Sequence, residues 1–309
     1  MTGAVGTNIS NVDYNNIRSK IIQILGTGSA NKGYGQTIQS TAVFGGNTVT
    51  KDSWDSLRYD LMNIKYHQDG VMPTLVQVQK TDPIRYGPGN PNTDYDIVAD
   101  QVTLNRFYLA TSQAIVSTAA SGQLNTGWSS QAQCVLTLTF SNANQARYFF
   151  NSGGKLRLTS SRIGGDATAQ NGAWTSLLSS VGTIVFGGEP TSEINFYTLT
   201  NTYQQVYQLA ASTPYSNNNY KIEVKSNVAD NTGGTATQVL LRVTWTDGYI
   251  DPDTLQAPES SPASNAPDDV VNGTLSITVE EFKASGTTFP SGTFTVTSPT
   301  YSLSSITAS

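Results

Sequence analysis

QAQCVLTLTF, residues 131–140, is the stretch on which the reading of this chain turns. Cys134, Leu136, Leu138 and Phe140 fall at every second position, and Val135 is the exception on the other side. Successive side chains of an extended backbone point to opposite faces, so this period marks a strand with one buried side. Cys134 is then a small buried hydrophobe, since no basic cluster or histidine adjoins it to lower its pKa. Downstream, the same reasoning predicts strands over 155–162, 183–186, 203–210, 220–227, 237–246, 274–282 and 293–298. Two short helices, near 144–150 and 167–181, interrupt them. YKIEVKSNV and TQVLLRVTW flank ADNTGGTA, whose Asp230, Asn231, Gly233 and Gly234 tolerate the positive φ of a turn. The flanks are expected to pair antiparallel, with Ile222 and Val224 opposite Leu240 or Val243. Many strands with Gly, Asn and Asp turns indicate a sandwich or a related antiparallel fold. DPDTLQAPESSPASNAPDD, residues 251–269, has four prolines and no apolar period, and reads as a surface loop or linker.

Upstream of this stretch the period changes to that of helices. Ser10 and Asp13 form an S-x-x-D start signal, followed by Tyr14, Ile17, Ile21, Ile24 and Leu25 at helical spacing. Gly26 stands where a left-handed C-cap glycine is expected. A second helix follows Thr50, with Trp54, Leu57, Leu61 and Ile64 on one face and Gly70 at its end. Asp52, Asp55, Arg58, Asp60 and Lys65 are assigned to its solvent side. Pro73, Pro83, Pro88 and Pro91 mark a connection. Beyond it, Thr93 is the expected cap of a third helix carrying Ile97, Val98, Val102, Phe107 and Leu109. The expected organisation is α+β: a helical N-terminal docking region, 1–128, followed by a β-rich antiparallel sandwich-like domain, 129–309.

Composition removes several function classes. The chain has 309 residues, 13% charged and 37% hydrophobic, against roughly 25% and about 45–50% in ordinary soluble domains. Its net charge of −5 and pI near 4.8 leave no broad basic footprint for nucleic acid. No apolar run reaches the roughly 18 residues of a membrane span, and the N-terminus lacks the n- and h-regions of a secretory signal. One cysteine excludes an intrachain disulfide, and one histidine, His67, leaves little for general-base or metal chemistry. His67 is expected at the surface or at a helix end. Acidic and basic residues balance over 1–128, where there is no Glu, so the acidic surplus falls in 129–309.

The candidate sites favour bland readings. GTGSANKGYGQ, residues 26–36, has glycines enough for a phosphate cradle, but its spacing fits neither dinucleotide nor P-loop signatures. A helix precedes it rather than a strand, which points to an inter-helix loop. Asp251/Asp253, Asp268/Asp269 and Glu280/Glu281 are carboxylate pairs, which can hydrolyse glycosides when held about 5–10 Å apart or bind a hard cation. Two pairs lie in the proline-rich loop, and the third is split across the faces of a strand, so solvation is the simpler role. RYFFNSGGKLRLTSSR, residues 147–162, gathers Arg147, Lys155, Arg157 and Arg162 beside aromatics, as a nucleic-acid platform does. Phe149 and Phe150 anchoring a short helix, followed by a strand with outward cations, is the plainer account. No catalytic, cofactor-binding or metal-binding residue is assigned, and no cofactor, nucleic acid or membrane partner is expected.

Certain stretches resemble a known group of proteins. ARYFFNSGGKLRLTSSRIGG (146–165), followed by NGAWTSLLSSVGTIVFGG (171–188), resembles a module of virion structural proteins of tailed bacteriophages, particularly phages of cyanobacteria and marine bacteria. TYQQVYQLAASTPYSNNNYKIEVKSNVADNTGGTATQVLLRVTWTDGY (202–249) continues the likeness, as do VDYNNIRSKIIQILGTGSANKGYGQT (12–37) and WDSLRYDLMNIKYHQDG (54–70). The resemblance implies a non-enzymatic part of the virion, associated with tail, neck or baseplate and assembled in the host cytoplasm. Its implied partners are copies of itself and other virion proteins. A head-decorating protein, or a receptor- or carbohydrate-binding module of a tail fibre, is the alternative. In that alternative Trp128, Trp174 or Tyr249 would stack on a host-surface glycan. FTVTSPTYSLSSITAS, residues 294–309, has no charge and is expected as an extended arm that adds a strand to a neighbouring subunit.

Overall fold

The computed structural model describes residues 11–78, 94–189, 192–249, 270–290 and 292–309. Ser10, Pro83, Pro88, Pro91, Thr93 and the loop 251–269 lie outside the described residues. Three helices come first: α1 (Asn11–Leu25), α2 (Lys51–Asp69) and α3 (Tyr95–Leu104). The apolar stripe of α1 is buried in full at Tyr14, Ile17, Ile21, Ile24 and Leu25. In α2 the Thr50 side chain accepts from the Ser53 N–H, and Gly70 ends the helix at φ 73°. The cap of α3 is Asp94, whose side chain accepts from the N–H groups of Asp96 and Ile97. Phe107 and Leu109 lie past the end of α3.

Two local expectations are corrected. Gly26 is not left-handed; the positive φ values fall at Gly28, Gly33 and Gly35. A glycine is needed at 26 because a Cβ there would stand 2.8 Å from the Ile22 carbonyl oxygen, which is backbone. Asp60 is not on the solvent side of α2 but fully buried. It lies one helical turn from Leu57 and Ile64, on the apolar stripe itself. Its carboxylate repays desolvation by accepting from the Gln39 and Ser40 N–H groups, both at 2.9 Å. Burial still raises its pKa, against those bonds and Arg18.

The remaining elements, in order, are β1 (Ala114–Leu124), β2 (Gln131–Thr139), α4 (Ala143–Asn151), β3 (Lys155–Ile163), α5 (Ala169–Val181), β4 (Thr183–Gly187), β5 (Gln204–Ala210), β6 (Asn219–Ser226), β7 (Gln238–Thr246), β8 (Thr274–Thr287), β9 (Thr293–Thr295), β10 (Thr300–Leu303) and β11 (Thr307–Ala308). They form two antiparallel sheets. One has the order β1-β8-β3-β4, with β9 on β8; the other has the order β10-β2-β7-β6-β5, with β11 on β2. The fold class is α+β, helices first and β-rich after.

The alternation of residues 131–140 is realised: Cys134, Leu136, Leu138 and Phe140 are buried, and Val135 faces outward opposite Arg242. The 219–246 hairpin pairs Ile222 with Val243 and Val224 with Leu241, while Leu240 lies opposite Lys225. Inner faces meet across the sandwich, as where the Ser160 hydroxyl of β3 reaches the Tyr220 hydroxyl of β6 at 3.2 Å. Helices and sheets share one apolar core, running from Tyr14 through Phe149 and Trp174 to Trp245. Each such large side chain fully buried is worth roughly 1.5–3 kcal/mol.

Three features of the sheets depart from expectation. β1, unforeseen because its small residues show no alternation, lies before residue 128 yet pairs with β8 along its length. β8 follows the proline-rich loop but is a central strand, between β1 and β3, and is not set apart from the main body. The segment 294–309 is not a free arm: β10 and β11 pair with β2 of the same chain. Inward-facing Leu138 and Leu136 open a register on β2 that Tyr301 and Leu303 fill.

Candidate functional site

A dense meeting of buried polar groups lies where α4 faces the loop 26–36. The Asn142 side chain starts α4 by accepting from the Gln145 N–H. One face of α4 then sends Phe149 and Phe150 into the core, with Phe150 stacked on Phe196 at 4.2 Å. Arg147 and Asn151, four residues apart, share another face. The Arg147 guanidinium donates to three carbonyls of the glycine loop: Thr27 at 2.7 Å, Ala30 at 3.0 Å and Lys32 at 3.1 Å. Its remaining nitrogen reaches the Asn144 side chain at 2.8 Å. Asn151 donates to the Gly33 carbonyl at 3.0 Å, and the Tyr197 hydroxyl donates to the Asn151 side-chain oxygen, with the Ala30 carbonyl also in reach at 3.2 Å. Burial raises the Tyr197 phenol, so it stays a donor.

This geometry decides the chemistry of the loop. A phosphate cradle turns N–H groups inward. Here carbonyl oxygens point inward, with Ala30 at φ 48° and Gly33 at φ 93° to aim them. The loop is a cation cradle, and Arg147 of the same chain occupies it. Spacing within 26–36 could not reveal this, because the partner is more than a hundred residues away.

The other basic residues of 147–162 do not form a platform. The Lys155 ammonium sits 4.8 Å from the Phe282 ring centre. Arg157 faces Glu280 at 3.3 Å, a half-exposed pair of little energetic worth. Arg162, expected to point outward, is buried; it donates to the Asn171 carbonyl and the Thr175 hydroxyl, and burial lowers its pKa. The carboxylates at 280 and 281 do face opposite ways. Glu281 is buried, accepting from Tyr301 at 2.8 Å and Ser298 at 3.0 Å. Asp251, Asp253, Asp268 and Asp269 lie outside the described residues. Among the described residues no three His, Cys, Asp or Glu side chains converge as metal ligands.

His67 ends α2, as expected, but is buried rather than at the surface. It stacks on Phe294 at 4.2 Å and meets the Ser152 carbonyl at 2.9 Å; burial pushes its pKa down to about 4. Cys134 is also buried, its thiol pushed up to about 12. Trp128 and Trp174 are not exposed stacking surfaces: both are buried, edge to face at 5.6 Å, and the Trp174 indole faces Asp247. Tyr249 is half-buried, 4.5 Å from the Tyr215 ring. A cleft of about 130 Å³ beside β4, lined by Phe107, Phe150, Lys155, Val185 and Glu189, is below the roughly 300–1,000 Å³ usual for ligand sites.

The chain matches no protein family, no curated protein and no solved structure. Arg147, Asn151 and Tyr197 are turned inward and joined to one another and to the glycine loop. What they do is join the helices to the sheets.

Proposed function

We propose that this protein is a structural component of a tailed-phage particle, associated with tail, neck or baseplate, acting through contacts with copies of itself and other virion proteins. The observation that carries the reading is the Arg147 clamp, which locks the helical region to the β region through a buried guanidinium. A part that transmits load through subunit contacts benefits from such rigidity, and buried polar networks fix one arrangement of elements. The resemblance of residues 146–165, 171–188 and 202–249 to phage virion proteins supplies the setting. A closed homo-oligomer, a ring or a trimer, is the expected assembly.

Immunogold labelling of intact particles with an antibody against the recombinant chain tests this. Gold at tail, neck or baseplate is expected. Gold on the capsid alone makes it a head-decorating protein, and unlabelled particles beside labelled infected cells overturn the reading. The paired rings of Tyr215 and Tyr249 favour glycan binding as a second reading. Binding on a glycan array that Tyr249→Ala abolishes would carry it.

A further inference from the structure

No Asp, Glu, Lys or Arg occurs between Arg106 and Arg147, and none after Lys283. These two charge-free runs are far apart in the chain, and the topology brings them to one side of the sandwich. β1 ends one sheet, and β10 with β11 ends the other on β2. The two ends touch: a Cβ on Gly122 of β1 would stand 3.0 Å from the Leu303 side chain of β10. Monomer surfaces intersperse both signs of charge. β1, β2, β10 and β11 carry neither.

The edge of β1 is the most open part of this side. β1 pairs with β8, and among the described residues no strand lies on its other side. Its outward N–H and C=O groups are a template for another strand. A bulge between Thr118 and Ala120 leaves 114–118 as a regular run. Four consecutive residues of it, Ile115, Val116, Ser117 and Thr118, are exposed, on both faces of the strand. Ile115 and Val116 are 44% and 42% exposed, a poor use of β-branched apolar side chains unless they are covered. β1 holds no lysine, proline or inward charge, and its bulge lies beyond the run 114–118. The nearest charges, Glu280 and Lys283 on β8, are engaged by Arg157 and by Ser298.

From this we infer that the free edge of β1 is a self-association site, where run 114–118 of one copy pairs antiparallel with the same run of a second copy about a two-fold axis near Val116. The occupant is a second copy because of charge. Two chains of net charge −5 repel over most of their surfaces, and the uncharged side is where they approach without that cost. A two-fold contact is self-complementary: Val116 meets Val116, Ile115 meets Ser117, and Ala114 meets Thr118. The other long edge, β5, differs, because its register shifts between Gln205 and Tyr207 and leaves no regular run of five residues. This inference adds a two-fold contact to the structural reading, distinct from the contacts that would close a ring or a trimer, and it does not depend on where in a particle the protein sits.

Sedimentation equilibrium of the full chain against concentration tests it, with Val116→Lys and Thr118→Lys as disrupting variants and Gln205→Lys on β5 as control. The wild type and the control are expected to self-associate, more tightly as salt rises and screens the net charge. The β1 variants are expected to be monomeric at concentrations at least tenfold above the wild-type midpoint, with unchanged circular dichroism and melting. Should the lysines unfold the chain, oxidation of Val116→Cys decides, because position 116 meets itself across the two-fold axis: the buried Cys134 stays silent and a covalent dimer is expected. A monomeric wild type, self-association untouched by the β1 variants, or loss equally by Gln205→Lys overturns the inference. Gold labelling of particles with a monomeric wild type would sink the edge contact while leaving the virion reading standing.

Discussion

Nη2 of Arg147 donates to the carbonyl oxygen of Thr27 at 2.7 Å, across 120 positions of sequence. That bond and its neighbours make the glycine loop part of the β region's core and tie α1 to α4. Arg147→Ala leaves several carbonyls short of a donor, and hydrogen bonds to charged groups are worth roughly 1.5–3 kcal/mol each. A loss of about 3 kcal/mol in urea unfolding is expected, with faster protease cleavage in 26–36. Arg147→Lys recovers only part, because an ammonium lacks the fork that reaches separate carbonyls.

His67 makes stability depend on pH. Its folded pKa, about 4, lies below the ordinary 6.5, so the unfolded chain binds the proton more readily. Stability is full above about pH 6.5 and falls as pH drops towards about 4, by up to ~3 kcal/mol. Thermal melts across this window check the slope. In His67→Gln it flattens, whatever that variant's overall stability.

Tyr301 and Ser298 both donate to the buried Glu281 carboxylate and tie β10 to β8 in the other sheet. Tyr301→Phe removes one donor from a buried acceptor, a cost of about 1–3 kcal/mol. Limited proteolysis is expected to spare 294–309 in the wild type and release it sooner in the variant. Equal release from both would mean the segment is not held by this contact.

Cys134 faces the sandwich interior and its thiol is pushed up to about 12. A thiol reagent at pH 8 is expected to leave the native chain unlabelled and to modify it at the rate of global unfolding. Fast labelling without denaturant would show that β2 opens locally.

Much of the fold was legible because it rests on local rules. The alternation of Cys134, Leu136 and Leu138, the cap at Thr50, the glycine at 70 and the stripe from Tyr14 to Leu25 each follow from side-chain period or backbone freedom within a few residues. The errors came where a residue answers to a distant one. Asp60 looks like the charges around it on α2, though its partners are the N–H groups of Gln39 and Ser40. Arg162, Trp128 and Trp174 are of types that often meet solvent or a ligand, yet all three are buried, because burial depends on what the chain brings across.

The sequence by itself determined the order of elements and the burial of most apolar faces, since helix and strand periods are properties of consecutive residues. Only the tertiary structure decided that the glycine loop cradles Arg147, that β8 lies between β1 and β3, and that two uncharged runs form one side. The physical reason is that pairing between strands, and the satisfaction of a buried donor, are relations between residues far apart in the chain. No local period encodes them.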